Sequence, residues 1–424
     1  MNNIKHTGVN VNRILDMLDA DVLNDFALKT NVDFHARKLK GQTILKLYLQ
    51  GIFLYGNKLS QSGLRTFFNS EYFIDIINGI EGETITKAAI SKRLRHINPE
   101  FFKLIYENAV KEWSPILSKY HKEVIPGMRL ESVDSSMVAQ TTKILSTGIH
   151  AGGREGGENG RKGVKYTLTY DGISSSYAVV HTLPKYADED NALGEALLSM
   201  IKKDSVTKTS PIYVFDRGIK GGALLADFNT QGLRFVGRLN NNRRMDVLED
   251  SIAPIGNMPS GMSLISDKKV RIYGRNSHTP LSPIFRVVKI DLGHEIGARS
   301  RGRRNKTETV LTLITDEMEL SVEELMEIYR FRWCIEVFYK FLKQNLNFSH
   351  LISGSENGLT VILYLTLLAA VLLKTYCALN DCGPKLATTK IWLELGEGIY
   401  DYIINRTRHS SEINKYNHGY QVIT

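Results

Sequence analysis

The stretch from Tyr329 to Lys343, YRFRWCIEVFYKFLK, constrains this chain more than any other. At about 100° per residue on an α-helix, Tyr329, Arg332, Glu336 and Lys343 fall within roughly 60° of one another. Phe331, Ile335, Phe338 and Leu342 fall on the opposite side, where they can enter a core. The expected element is one helix, apolar behind and chemically loaded in front. An acid, a phenol and two cations projected together suit a site that holds a metal beside a phosphate, because hard oxygen ligands take Mg²⁺ while Arg and Lys take phosphate oxygens. The same residues also suit an amphipathic surface helix in which Arg332 and Glu336 form an ordinary i,i+4 ion pair. The stretch by itself leaves both readings open.

Composition narrows the class of protein. A chain of 424 residues has room for roughly two to four domains and a large core. Its 42% hydrophobic and 23% charged content is that of an ordinary soluble protein. A net charge of +9 and a pI near 9.2 point to a polyanionic partner, since a basic field speeds encounter with nucleic acid. Three cysteines, Cys334, Cys377 and Cys382, are too few for a disulfide framework or a zinc cluster, which suits a reducing cytoplasm. The N-terminal MNNIKHTGVNVNRILDML offers no apolar run for a signal peptide. The apolar run LTVILYLTLLAAVLL, about 17 residues counted from Asn357, is read as a helix buried in a large domain rather than a membrane anchor.

Residues 1 to 125 show helical spacing of apolar residues. Within them Thr86 can cap a helix that turns Ala89, Ile90, Leu94 and Ile97 inward and leaves Lys87, Ser91, Lys92, Arg93 and Arg95 outside. A short basic helix following another helix is how helix-turn-helix modules reach the major groove, and it is equally how a solvated surface helix looks. After Pro126 the period changes to two: MRLESVDSSMV reads as a strand with Asp134 near its carboxyl end. The glycine-rich STGIHAGGREGGENGRKG is a loop without the Gly-Lys-Ser/Thr closure of a phosphate-binding loop. Two further strands follow, VKYTLTYDGI and SYAVVHTL, and then a helix capped by Asp190 or Asn191. In SPIYVFDRGIKGG, Ile212 to Phe215 read as a buried parallel strand with Asp216 just past its end, where ligands of open α/β sheets gather. Residues 240 to 320 read as four β segments, with a basic cluster at Arg299, Arg301, Arg303, Arg304 and Lys306.

The spacing Tyr, two residues, Arg, three residues, Glu, six residues, Lys resembles the signature of DDE-type insertion-sequence transposases that carry a Tyr-Arg-Glu-Lys motif. Asp216-Arg217-Gly218 resembles that family's second-Asp motif, with Ile219 where an aromatic residue is usual, and the Ser-Lys-Arg-Leu segment at 91–94 is similar to the family's N-terminal regions. The likeness covers residues 128–350 well, 85–110 loosely, and the last 70 residues hardly at all. It implies an α/β fold: a ribonuclease H-like mixed sheet flanked by helices, interrupted by a β-rich insertion, with helical N- and C-terminal regions. The implied division is 1–125 helical and DNA-binding, 126–240 and 321–375 catalytic, 241–320 inserted, and 376–424 a candidate for oligomerisation.

The resemblance also assigns roles. Asp134, Asp216 and Glu336 become catalytic carboxylates that hold two Mg²⁺ ions, with Mn²⁺ as a substitute. Tyr329, Arg332 and Lys343, with Lys340 as a competing ligand, become contacts to the transposon end, joined by Lys92, Arg93, Arg95, Arg301, Arg303 and Arg304. The insertion lacks the Trp that stacks an extruded base, which leaves Tyr273 or Phe285 as substitutes. The partners implied are double-stranded DNA, as terminal inverted repeats and as target, and a second copy of the chain in a homodimer. The implied location is a prokaryotic cytoplasm, on the nucleoid when acting. A catalytically inactive DNA-binding regulator and a nuclease without strand transfer are the alternatives.

Overall fold

The computed structural model describes residues 8–77, 79, 82–119, 123–140, 145, 148–150, 162–203, 210–250, 258, 261–274, 277–296 and 308–419. The glycine-rich stretch around Arg154 and Arg161, and the basic cluster Arg299 to Lys306 with Arg301, Arg303 and Arg304, lie outside them. The chain divides into two compact units: Met1–Tyr120 with Lys143–Ser146 and Lys340–Thr424, and His121–Thr142 with Thr147–Tyr339.

The first unit is helical. It contains α1 (Val11–Asp16), α2 (Ala20–Thr30), α3 (Gly41–Tyr55), α4 (Gln61–Phe68), α5 (Glu71–Ile76), α6 (Lys87–His96) and α7 (Glu100–Ser118). Side-chain oxygens of Asn10, Asp19, Ser60, Ser70 and Thr86 each accept an amide of the first turn they precede, so the polar punctuation of the sequence sets these starts. Near the C-terminus, Glu356–Asn380 is the apolar helix of the sequence reading. It packs against α7, α6, α3 and α1 within this unit, and 72% of its most apolar window is buried. Its length and composition would also allow a membrane crossing, but here the apolar side chains enter a protein core.

The second unit is built on a mixed sheet of ten strands. Its first six are β1 (Leu130–Gln140), β2 (Ile149–His150), β3 (Lys162–Tyr170), β4 (Ala178–His181), β5 (Ile212–Phe215) and β6 (Phe235–Arg238). β1, β3 and β4 form an antiparallel meander, while β5 and β6 run parallel to β1. The order β4-β3-β1-β5-β6 is the arrangement of a ribonuclease H-like sheet. The inserted strands β7 (Met245–Asp250), β8 (Ser263–Ile272), β9 (Phe285–Ile296) and β10 (Glu308–Thr315) extend that same sheet, because β10 pairs antiparallel with β6. The β-rich insertion is therefore continuous with the ribonuclease H-like sheet.

Period-two alternation divides the side chains of β1 and β5 between two cores. Val133, Tyr213 and Phe215 join Phe235 and the apolar side chains of α8 (Glu189–Lys203) and α9 (Gly222–Thr230). Leu130, Ile212 and Val214 pack instead with Val322, Leu325 and Ile328 of α10 (Val322–Phe331). A Cβ on Gly237 would stand 2.3 Å from the Phe215 ring, so glycine is required opposite Phe215 where β5 and β6 pair. That contact fixes the residue immediately before Asp216.

Candidate active site

Ser132 pairs with Val214 across the parallel β1–β5 ladder, and Asp134 and Asp216 each lie two residues further on. Both extend the row of alternate positions that packs against α10, so their side chains leave the sheet on one face, Asp216 just past the end of β5 and Asp134 at the fifth residue of β1, which does not end there as the sequence suggests but runs on to Gln140 in pairing with β3. The loop after Asp216 is held from α8, where Asp190 Oδ1 accepts the amides of Lys220 at 2.5 Å and Gly221 at 3.1 Å. Asp190 thus braces this loop, and Asp188 takes the capping place through the Asp190 amide at 3.1 Å. Ile219, where the family usually has an aromatic, is 2% exposed and belongs to the α8–α9 core.

The predicted helix over Tyr329 to Lys343 is two helices. α10 ends at Phe331, Arg332 is a turn residue whose amide donates to Tyr329 O at 3.1 Å, and α11 runs Trp333–Asn345. Ser132 fixes this junction to β1: its hydroxyl donates to Phe331 O at 3.1 Å and meets Cys334 Sγ at 3.4 Å. The apolar side is as expected at Ile335, Phe338 and Leu342, which are buried, while Phe331 is half-buried. Residues 329 to 339 belong to the second unit, while Lys340, exposed, and Lys343, half-buried, continue α11 in the first.

Around Asp134 and Asp216 the acids and cations form one electrostatic group. Tyr329 donates to Asp216 Oδ1 at 3.2 Å, and Arg238 Nη1 lies 4.0 Å from the same oxygen. Arg332 Nη1 donates to Glu336 Oε1. Burial opposes the charge on Arg332, but Glu336, Tyr329 and Asp216 more than offset it, so it stays a cation. Burial pushes the Asp134 carboxyl up to about 6; the Ser135 amide and Arg332 pull it down, and Glu189 and Glu336 push it further up. Burial and then the Asp216 carboxylate push the Tyr329 phenol up to about 12, so it remains a donor.

The donor set suits a hard divalent cation, being all oxygen and partly buried among like charges. In the rotamers seen the carboxylates do not converge on one point, and among the described residues no three His, Cys, Asp or Glu side chains stand together as a metal set. The cause is local: Glu336 is turned to Arg332, and Asp216 to Tyr329 and Arg238. Arg332 therefore supplies the counter-charge that a metal would otherwise supply. Its Nε is buried and, among the described residues, finds no hydrogen-bond partner.

Other expected contacts need correction. Arg93 does not face outward: its guanidinium donates to Leu39 O at 2.7 Å and Val32 O at 2.5 Å, tying α6 to the chain before α3, while Lys92 and Arg95 are exposed. Phe285 is 0% exposed and packs on Phe235 inside the sheet's core, out of reach of a base. Tyr273 lines a basic groove of about 600 Å³ with Arg243, Arg244 and His278. Its ring is capped by the Arg244 guanidinium at 4.0 Å and its hydroxyl donates to Asp246 Oδ1 at 2.5 Å, so a base would meet Arg244 first.

Sequence reasoning missed Tyr339, a fully buried residue three positions after Glu336. Its hydroxyl lies 2.9 Å from both Asp134 O and Tyr166 O and shares its one proton between them, joining the Glu336 helix to the Asp134 strand. Its position between the apolar and polar faces of α11 was the available signal. Tyr339→Phe is expected to cost about 1–3 kcal/mol by orphaning buried carbonyls. The loss should appear as a lower melting temperature, and a Tyr339→Phe protein that melts with the wild type would mean that both carbonyls keep other donors.

A ribonuclease H-like sheet with carboxylates on β1, just past β5 and on the facing helix defines a class of polynucleotide-processing proteins. The sequence pattern of the transposase DDE domain matches residues 128–372, more than half of the chain, and the chain belongs to that family of insertion-sequence transposases. It is 25% identical over 331 residues to a Synechocystis sp. protein assigned as the transposase of insertion sequence element IS4SA, covering 77% of this chain and 80% of that one. It is 22% identical over 224 residues to a transposase-assigned protein, y4zB, of Sinorhizobium fredii, covering 52% of this chain and 56% of that one. Among solved structures it is similar to the piggyBac transposase synaptic complex with hairpin DNA, at 9% identity and a TM-score of 0.43 over 93% of this chain and 82% of that one.

Proposed function

We propose that this transposase binds the ends of its insertion sequence, cuts the phosphodiester backbone there, and joins the freed 3′-hydroxyls to target DNA. The observation that carries the reading is the equal offset of Asp134 and Asp216 beyond the Ser132–Val214 pair, on the face where Glu336 docks. Asp134, Asp216 and Glu336 would hold Mg²⁺, with Mn²⁺ able to replace it. When bound, the ions lower the pKa of the attacking water or hydroxyl and relieve charge on the leaving oxygen.

The chain's own groups supply binding and orientation. Arg332, with its unpartnered Nε, takes a backbone phosphate once Glu336 turns away from it. Tyr329 donates to Asp216 and orients that carboxylate. Lys340 and Lys343 follow Glu336 by one and two turns of α11, and with exposed Lys92 and Arg95 of α6 they contact the DNA backbone. Synapsis of two ends requires at least two copies of the chain.

Purified protein incubated with DNA carrying its inverted repeats should yield Mg²⁺-dependent nicks and joined products, with EDTA abolishing both. Cleavage without joining would favour a nuclease. End binding without any cleavage in Mg²⁺ or Mn²⁺ would favour a regulator.

A further inference from the structure

α12 (Glu356–Asn380) and α13 (Pro384–Gly419) lie in the first unit and are joined by Asp381, Cys382 and Gly383. α12 ends where Asp381 takes a left-handed φ of 45°, and the amides of Asp381 and Cys382 both turn back to Cys377 O, the latter at 3.1 Å. A bond from the second residue past a helix to the carbonyl of its last turn is a Schellman closure, which brings the side chains at its two ends into contact. Apolar residues commonly make that contact; here two cysteines make it. Both are free and half-buried, and their thiols hydrogen-bond to each other. The turn is anchored on both sides: Asn380 Nδ2 donates to Val9 O at 3.0 Å, and Tyr376 donates to Glu394 Oε1 of α13 at 2.6 Å.

We infer that Cys377 and Cys382 are a redox-active dithiol, which a small-molecule disulfide such as glutathione disulfide converts to an intramolecular bridge stapling the end of α12 to the turn before α13. A disulfide needs sulfurs about 2.05 Å apart and Cα atoms within about 7 Å. The 3.1 Å bond from the Cys382 amide to Cys377 O already holds the backbone to that range, so rotation of the two side chains closes the bridge. Cys382 reacts first. It stands past the helix end beside Gly383, which is exposed and where a Cβ would meet nothing within 4 Å, so a disulfide can approach. The Cys382 thiolate attacks one sulfur of the reagent, the reagent's S–S bond breaks, and one glutathione leaves as a thiol. Cys377 then loses its proton to solvent and attacks Cys382 Sγ, expelling the second glutathione. Two protein thiols are oxidised and one glutathione disulfide is reduced to two thiols. Burial, and then Cys382, pushes the Cys377 thiol up to about 12, so Cys377 is slow toward outside reagents and acts on a sulfur already beside it. Cys334 lies in the second unit against the Ser132 hydroxyl and takes no part. The inference does not depend on the chemistry proposed above, because it concerns the protein without DNA.

The test is a thiol count on the full-length protein, reduced, freed of reductant and incubated with glutathione disulfide, followed by peptide mapping with mass spectrometry. The count should fall from three thiols to one, with a Cys377–Cys382 bridge in the map, and dithiothreitol should restore all three. Cys334→Ser should still lose two thiols. Cys377→Ser should stop at the mixed disulfide, carrying one glutathione on Cys382, whereas Cys382→Ser should take up glutathione on Cys377 at least about tenfold more slowly. The bridged wild type should melt a few degrees above the reduced protein, because a crosslink that fits the turn restricts the unfolded chain. A wild type that keeps three thiols, a map that pairs either residue with Cys334, equal uptake of glutathione by the two single variants, or a bridge that lowers the melting temperature would each overturn the inference.

Discussion

Glu336→Gln should lose about 10³-fold or more in cleavage rate while binding transposon-end DNA as the wild type does, since a metal-ligand contribution of several kcal/mol at about 1.4 kcal/mol per tenfold gives that order. Glutamine keeps the volume of the side chain and an oxygen for Arg332, so the α10–α11 junction should stand and the melting temperature should change little. What the substitution removes is the negative charge. The measurement is single-turnover cleavage beside a gel-shift titration with the same DNA. Near-wild-type cutting would leave Glu336 as merely the ion-pair partner of Arg332.

Equating the three carboxylates required both sequence and structure. Periodicity was enough to place Asp134 on a strand and Asp216 after one, because alternation and a short buried apolar run are local signals. It could not show that the two lie level, since the Ser132–Val214 register joins segments 82 residues apart. The sequence also suggested an unbroken helix through Tyr329 and Glu336, because nothing in YRFRWCIEVFYK breaks one. The turn at Arg332 arises where Ser132 takes the Phe331 carbonyl, a tertiary contact from another element. Arg93 failed for a similar reason: its position was read from helical spacing alone, but two carbonyls of the distant segment between α2 and α3 draw its head inward. Phe285 lies in a β segment of the sequence reading, but alternation does not say which of its faces is covered, and only the pairing of β9 into the extended sheet shows that Phe285 is core.

Asp267→Asn should destabilise the protein by about 3–5 kcal/mol, on the order of 10 °C in melting temperature, although it lies in the insertion far along the chain from the carboxylates. Arg286 is 0% exposed, and Asp267 receives its Nε at 2.9 Å and Nη2 at 2.7 Å in a two-point pair. Neutralising the acid leaves a buried guanidinium without its counter-charge. The remaining Nη1 donates to Leu320 O, and it lies 3.4 Å from Glu317 O and Met318 O. That turn ends at Ser321, which caps α10 in a reciprocal pair with Glu324. Arg286 thus anchors the start of the helix that leads to Arg332 and Glu336. The double variant Asp267→Leu with Arg286→Met separates the two roles. Replacing a buried pair with apolar side chains of similar volume should restore most of the melting temperature. It cannot restore the bonds to the 317–320 turn, so cleavage should stay depressed. If the double variant recovers both stability and cleavage, the pair only fills the core; if Asp267→Asn melts with the wild type, the guanidinium has found another counter-charge.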